Sequence, residues 1–160
     1  MRDIRGTIKR WLIIAGICLA IAVVLAIALP QYLYHVQGRT AFADAKSVQF
    51  AARIVIMEKT SDASADDRDF MFGLSGTFKH QEDPMYPNPA AVARAAISRR
   101  LDELAFDIVF ADKPDVGKAH VSFTVKNAEI TGMVYQTVIG KRLFTVMYEN
   151  GETKITHKRI

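Results

Sequence analysis

A long apolar run near the start of the chain constrains the fold more than any other feature. Residues 11–29 read WLIIAGICLAIAVVLAIAL and contain no charged side chain. As an α-helix this run is roughly 28 Å long, which matches the hydrocarbon thickness of a bilayer. Trp11 stands at one end and Tyr32 and Tyr34 follow the other, where aromatic side chains favour the membrane–water interface. The sequence therefore predicts one transmembrane helix.

The charges around this run predict its orientation. Four basic residues precede it (Arg2, Arg5, Lys9 and Arg10), whereas only Arg39 and Lys46 follow it closely. Basic residues favour the cytoplasmic side, so residues 1–10 are expected in the cytoplasm and the C-terminal part outside the cytoplasmic (inner) membrane. The alternative is a cleaved signal peptide, because residues 26–28 (Ala-Ile-Ala) resemble an A-x-A cleavage site. The run is longer than the apolar core of a usual signal peptide, which favours a retained helix.

Composition limits what the rest of the chain can be. The chain has 160 residues, of which 24% are charged and 50% hydrophobic, and this suits one globular domain beyond the membrane helix. The net charge of +4 does not indicate a nucleic-acid partner, since four basic residues flank the apolar run and the others alternate in sign with acids. Cys18 is the only cysteine, which excludes an intramolecular disulfide.

The helical pattern continues beyond the apolar run, and residues 30–60 are predicted to be an amphipathic continuation of the same helix. Apolar or small residues recur there at alternating steps of four and three: Leu29, Leu33, Val36, Thr40, Ala43, Ser47, Phe50, Ile54 and Met57. One interpretation is a helix face buried on a sheet, with a core formed by Val36, Ala43, Phe50, Ile54 and Met57. The alternative is a face that packs against other helices as a coiled coil.

Two residues predict bends in this long helix. Pro30 has no backbone N–H and crowds the preceding turn, so a kink is expected where the membrane ends. Gly38 is a second weak point, because glycine lowers helix stability.

The remaining residues, 61–160, are predicted to form an extracytoplasmic head. A surface loop is expected first, then a helix over residues 89–105 that begins at Pro89. Val121, Phe123 and Val125 alternate with polar residues, and Asn150-Gly151 is a strong hairpin signal. An antiparallel meander of about four strands is therefore predicted over residues 119–159, and the fold class is α+β, with the long N-terminal helix packed on the sheet.

No arrangement of residues indicates catalysis, a metal site or a cofactor. The four histidines (His35, His80, His120 and His157) lie on separate predicted elements, and no phosphate-binding glycine loop or nucleophile motif is present. The loop acids Asp62, Asp66, Asp67 and Asp69 lack the spacing of a calcium loop. We expect a protein that is not an enzyme.

Residues 26–32, AIALPQY, resemble the end of the apolar helix in type IV pilins and type II secretion pseudopilins. The order of long helix, loop and antiparallel sheet is similar to that of this family over the whole chain. The resemblance implies a filament subunit whose partners are the lipid bilayer, other pilin-like subunits or copies of itself, and an inner-membrane assembly platform. Packing between helices is then expected along the apolar run, at Leu12, Ala15, Gly16, Ala22 and Ala26.

Two positions depart from the family pattern. Counted back from Pro30, Ile8 stands where the family has the prepilin-peptidase glycine, and Ile13 stands where it has a glutamate. These departures indicate a minor or divergent subunit that is not cut by that peptidase. The alternative is a single-pass membrane protein whose extracytoplasmic α+β domain binds or senses a ligand.

Overall fold

The computed structural model describes residues 4–61, 76–80, 89–105 and 107–160. The described elements comprise two helices and five strands. In chain order they are α1 (Ile4–Ser61), β1 (Gly76–Lys79), α2 (Pro89–Leu104), β2 (Ala119–Lys126), β3 (Glu129–Ile139), β4 (Arg142–Glu149) and β5 (Glu152–Arg159).

The chain divides into two compact units, Met1–Gln37 and Gly38–Ile160. In its described part, the first unit consists of the beginning of α1. The second unit contains the remainder of α1, the helix α2 and all five strands. Pro30 and Gly38 both lie inside α1, which is assigned as one helix through both positions. The bends expected at these residues stay a prediction.

The five strands form one antiparallel sheet in the order β1-β2-β3-β4-β5. The four strands predicted over residues 119–159 are present, and β1 adds a fifth strand from a region that was expected to be loop. Helix α2 begins at Pro89 as predicted and ends at Leu104, one residue before the expected boundary. The α+β prediction, with a long helix packed on an antiparallel sheet, is confirmed.

The core of the second unit lies between α1 and the sheet. The buried residues of α1 are small or β-branched and follow a four–three repeat: Ala41, Ala45, Val48, Ala52 and Val55. The sheet contributes large side chains to this layer, including Phe123, Tyr135 and Phe144, and α2 adds Ile97 and Leu101. A small helix face lets the helix approach closely over bulky strand residues, so side chains of the two layers can interdigitate.

The face of α1 that packs on the sheet is not the face that the sequence predicted, so the predicted helix–sheet core is wrong. Phe50 and Met57 are each 67% exposed, Ala43 is exposed, Ile54 is half-buried, and Val36, in the first unit, is 43% exposed. The helix carries two stripes with the same repeat. Ala41 and Phe50 are about two and a half turns apart, so their side chains point to opposite sides. The stripe with larger residues was predicted to be the core. The large side chains of the sheet fill that space instead, so the stripe with smaller residues packs against them.

Two tight turns set the register of the meander. Asn150 (φ 49°) and Gly151 (φ 91°) join β4 to β5, as the Asn-Gly signal predicts. Asn127 (φ 50°) and Ala128 (φ 60°) join β2 to β3 in the same left-handed conformation. Asparagine tolerates this region, whereas alanine is strained in it because its Cβ crowds the following carbonyl oxygen.

We expect two phenylalanine truncations to have opposite outcomes. Phe123 is 1% exposed, so Phe123→Ala should lower the free energy of unfolding by about 3–5 kcal/mol. Phe50→Ala should lower it by less than about 0.5 kcal/mol, as for other surface positions. Denaturant unfolding of the full-length chain in mild detergent, followed by near-UV circular dichroism, measures both. Equal losses for the two variants would contradict the burial described here.

The strained turn predicts a stabilising substitution. Ala128→Gly should raise the free energy of unfolding by about 0.5 kcal/mol, because relief of strain exceeds the extra entropy of the unfolded chain. Gly151→Ala is the matched control in the other turn. No atom lies within 4 Å of the Cβ it would add, so only its backbone strain should act, lowering stability by about 1 kcal/mol. Destabilisation by Ala128→Gly would argue that the Ala128 methyl contact outweighs the strain.

Candidate functional site

The apolar part of α1 is the first candidate surface. Residues 11–29 are exposed throughout in the structure, and the most apolar window of the helix has a mean hydropathy of 3.2 with none of it buried. By length and composition this helix is able to cross a membrane, which fits a single-pass protein. The residues predicted to pack between helices are all exposed: Leu12, Ala15, Gly16, Ala22 and Ala26.

The second candidate surface, here called the outer stripe, lies on α1 within the second unit. It consists of Thr40, Ala43, Ser47, Phe50, Ile54 and Met57, of which all but Ile54 are exposed. These residues lie on the side of the helix opposite the buried Ala41–Val55 face. Lys46 and Arg53 border the stripe and are also exposed. Phe50 and Met57 are the exposed large apolar side chains of this stripe, and their seven-residue spacing is typical of a helix surface that packs against another helix.

Arg53 anchors one border of this stripe to the sheet. Its guanidinium donates a hydrogen bond to the Tyr148 hydroxyl over 3.0 Å and lies 5.6 Å from the centre of the Tyr148 ring. The same two residues line an open cleft of about 380 Å³ together with Met57 and Ile130. The contact holds the Arg53 side chain against the sheet.

A second cleft, here called the Asp44 cleft, opens between α1, the loop before β2 and the end of β3. Its volume is about 370 Å³, and its lining includes Thr40, Asp44, Asp107, Tyr135 and Thr137. Partial burial raises the pKa of Asp44 above its ordinary value. Burial, together with the nearby Asp44 carboxylate, raises the pKa of Tyr135, so its hydroxyl stays protonated at physiological pH. The rest of the lining is apolar or glycine, and Tyr135 and Thr137 are almost fully buried, so the carboxylates of Asp44 and Asp107 are the main polar groups of the cleft.

The fold also brings together a histidine and a carboxylate. His80 is buried, its Nε2 lies 3.0 Å from Asp102 Oδ1 on α2, and its ring stacks on Phe110 at 4.6 Å. Its backbone N–H donates to the Val121 carbonyl. This pair connects the end of β1, α2 and β2, which is a structural role. Sequence reasoning placed His80 alone, because no local pattern relates it to Asp102.

The other polar contacts tie elements to each other. Arg100 on α2 donates hydrogen bonds to Glu58 on α1 and to Glu103, and these carboxylates raise its pKa. His120 Nδ1 lies 3.2 Å from the Ala111 carbonyl oxygen. Within the described residues, no group of three or more histidine, cysteine, aspartate or glutamate side chains is placed to hold a metal ion. The loop acids considered for calcium, Asp62 to Asp69, lie outside the described residues.

Comparison of the chain with protein-family models, with curated proteins and with solved structures found no match. The function of the chain is therefore inferred from the surfaces described above. Sequence reasoning identified the residues of the outer stripe but assigned them to the core, and it missed both clefts. Each cleft is lined by residues from distant parts of the chain, for which the sequence carries no local signal.

The Asp44 carboxylate predicts a pH-dependent stability effect. A raised pKa in the folded state means that folding favours the protonated acid, so stability is lost as pH rises through the folded pKa. Asp44→Asn removes this cost and should raise the free energy of unfolding at pH 7, by less than about 1 kcal/mol because solvent screens a half-buried charge. The gain should vanish below the ordinary pKa of an aspartate.

Thermal unfolding between pH 3 and pH 8 measures this difference. Asp112→Asn, at an exposed aspartate, is the matched control and should change the melting temperature little at any pH. If Asp44→Asn destabilises the protein at pH 7, the carboxylate makes favourable contacts that exceed its desolvation.

Proposed function

We propose that this protein is a membrane-anchored structural subunit of a type IV pilus-like or type II secretion pseudopilus-like filament, which works by helix packing rather than by chemistry. The observation that carries this proposal is the outer stripe of α1, on which the Phe50 and Met57 side chains are each 67% exposed. Exposing Phe and Met side chains to water costs free energy. A second face with such side chains therefore favours a packing partner in addition to the sheet.

The apolar run supports the same conclusion. Its exposed residues include Ala15, Gly16, Ala22 and Ala26, which allow neighbouring helices to approach closely in a membrane or in a filament core. In the bilayer this run contacts lipid, and in an assembly it exchanges lipid contacts for helix contacts. The protein then remains in the cytoplasmic membrane, with its N-terminus in the cytoplasm, until an assembly platform extracts it.

The outer stripe provides a means of setting the register between subunits, which the N-terminal sequence does not provide. Ile13 cannot make the salt bridge that a glutamate makes in the resembling family, so register between subunits has to come from packing. Phe50 and Met57 are seven residues apart on α1 and protrude from the second unit. Side chains at this spacing insert between residues of a facing helix and fix its register. We therefore propose a minor or divergent subunit whose copies pack against one another through this stripe.

The Asp44 cleft favours a second candidate, a membrane-anchored binding module. Its two carboxylates, set in a mostly apolar lining, suit a small polar ligand. In that case the outer stripe needs no second helix, and the protein stays a monomer in the bilayer. The two candidates thus differ in whether the stripe contacts another protein.

Site-directed cross-linking distinguishes them. In a chain carrying Cys18→Ala, the substitutions Ala43→Cys, Phe50→Cys and Met57→Cys place a thiol on the outer stripe. Under mild oxidation in native membranes we expect disulfide-linked dimers from these variants, because facing helices of two copies bring equivalent positions close together. Nonreducing gel electrophoresis and mass spectrometry identify the products.

Thr153→Cys, at an exposed position on β5, is the matched control and should remain monomeric. Phe50→Glu in the same background should abolish cross-linking through position 43 without changing the amount of protein in the membrane. Uniformly monomeric stripe variants, in cells that produce filaments or secrete, would favour the binding module.

A further inference from the structure

The cleft that Arg53 and Tyr148 line, here called the Arg53 cleft, has a chemistry that the proposed function does not use. Its walls come from the last turns of α1, from the β2–β3 turn with the first residues of β3, and from Tyr148 near the end of β4. All of these elements belong to the second unit. Its volume of about 380 Å³ lies at the lower end of the volumes typical of small-molecule sites. The cleft is therefore large enough for a small metabolite.

Arg53 supplies a positive charge that is already held in position. Its Nη2 donates a hydrogen bond to the Tyr148 hydroxyl over 3.0 Å, and its Cζ lies 5.6 Å from the centre of the Tyr148 ring. A hydroxyl is an uncharged acceptor, and none of the ion pairs among the described residues includes Arg53. The remaining N–H groups of the guanidinium can donate two parallel hydrogen bonds to a carboxylate, at a reduced cost in side-chain entropy.

A negative charge and an apolar surface complete the cleft. Glu129, the first residue of β3, is exposed and lines the cleft. Ile56 and Ile130 are 6% and 7% exposed and provide firmly packed apolar surface, whereas Met57 is 67% exposed. The cleft thus combines a cation, an anion and an apolar wall.

The backbone beside Glu129 is strained. Ala128, which also lines the cleft, has a φ of 60°, a left-handed conformation that is costly for alanine. Its side chain packs against the core, which holds the turn in this conformation. Strained backbone of this kind is concentrated at binding sites, where it positions neighbouring groups. Here the strained residue directly precedes Glu129 and sets the direction in which β3 begins.

We propose that the Arg53 cleft binds a free α-amino acid with an apolar side chain. The Arg53 guanidinium binds the α-carboxylate, and the Glu129 carboxylate binds the ammonium group. Met57, Ile56 and Ile130 contact the apolar side chain. A small zwitterion requires opposite charges beside an apolar surface, and the walls of this cleft present all three. The site goes beyond the proposed filament role and does not depend on it.

Titration of L-leucine into the full-length protein in detergent micelles tests this site. The methionine methyl groups are isotope-labelled and observed by NMR, and Met57→Leu assigns the Met57 signal. That signal should shift saturably, because Met57 lines the cleft. The signal of Met147 should not shift, because Met147 precedes Tyr148 in β4 and its side chain points to the opposite face of the sheet.

Two analogues of leucine separate the two charges. Isocaproate keeps the carboxylate and the apolar chain but has no ammonium group, so it should bind about two- to fivefold more weakly through loss of the contact with the exposed Glu129. Isopentylamine has no carboxylate and should bind about tenfold or more weakly, because it loses the hydrogen bonds to Arg53. Equal affinities for isocaproate and leucine would contradict the assignment of an amino acid.

Substitutions on both sides of the cleft complete the design. Arg53→Gln should weaken leucine binding about tenfold or more. Glu129→Gln should weaken it about two- to fivefold while raising the affinity for isocaproate, which the glutamate repels. Arg99→Gln, at an exposed position on α2, and Asp107→Asn, in the Asp44 cleft, are the matched controls and should leave leucine binding unchanged. Cooperative thermal unfolding checks that each variant is folded.

Two results would overturn the inference. One is a Met57 signal that does not move even at roughly 50 mM leucine, a concentration that saturates a millimolar site. The other is leucine binding that persists unchanged in Arg53→Gln. Cross-linking of the outer stripe measures a different property, so the failure of either proposal is distinguished from the failure of the other.

Discussion

The close contact between the small-residue face of α1 and the bulky face of the sheet determines the rest of the second unit. Ala45, Val48 and Ala52 are almost fully buried, and Phe123 and Tyr135 fill the space that they leave. Because this contact uses the smaller of two apolar stripes, the larger side chains of α1 remain outside. One helix thus provides a folding face and, on its other side, an exposed face that carries Phe50 and Met57.

Much of the architecture follows from patterns that a sequence displays locally. The alternation of Val121, Phe123 and Val125 is visible because β2 buries one face only, and Asn150-Gly151 specifies its turn by backbone conformation. The buried face of α1 was not predictable in this way. Both faces carry the same four–three repeat, and the choice between them depends on side chains of the sheet, which are distant in sequence.

Short elements and contacts between residues distant in sequence could not be predicted from the sequence either. Strand β1 has four residues, and its existence depends on hydrogen bonds to β2 rather than on its own composition. The contact of His80 with Asp102 and the Asp44 cleft both join separate elements. For the candidate surfaces, the sequence identified which residues are apolar or basic. Which of them face solvent was decided by the fold.

The exposure of β5 has a consequence for the mechanical behaviour of the sheet. All eight of its residues are exposed, so peeling this strand away costs little buried apolar area and defines a unit that opens well below the global unfolding energy. Opening it uncovers the backbone hydrogen-bonding groups along the edge of β4. Under a pulling force applied through the last strand, the sheet yields first at this hairpin, while the layer between α1 and β2–β3 stays intact.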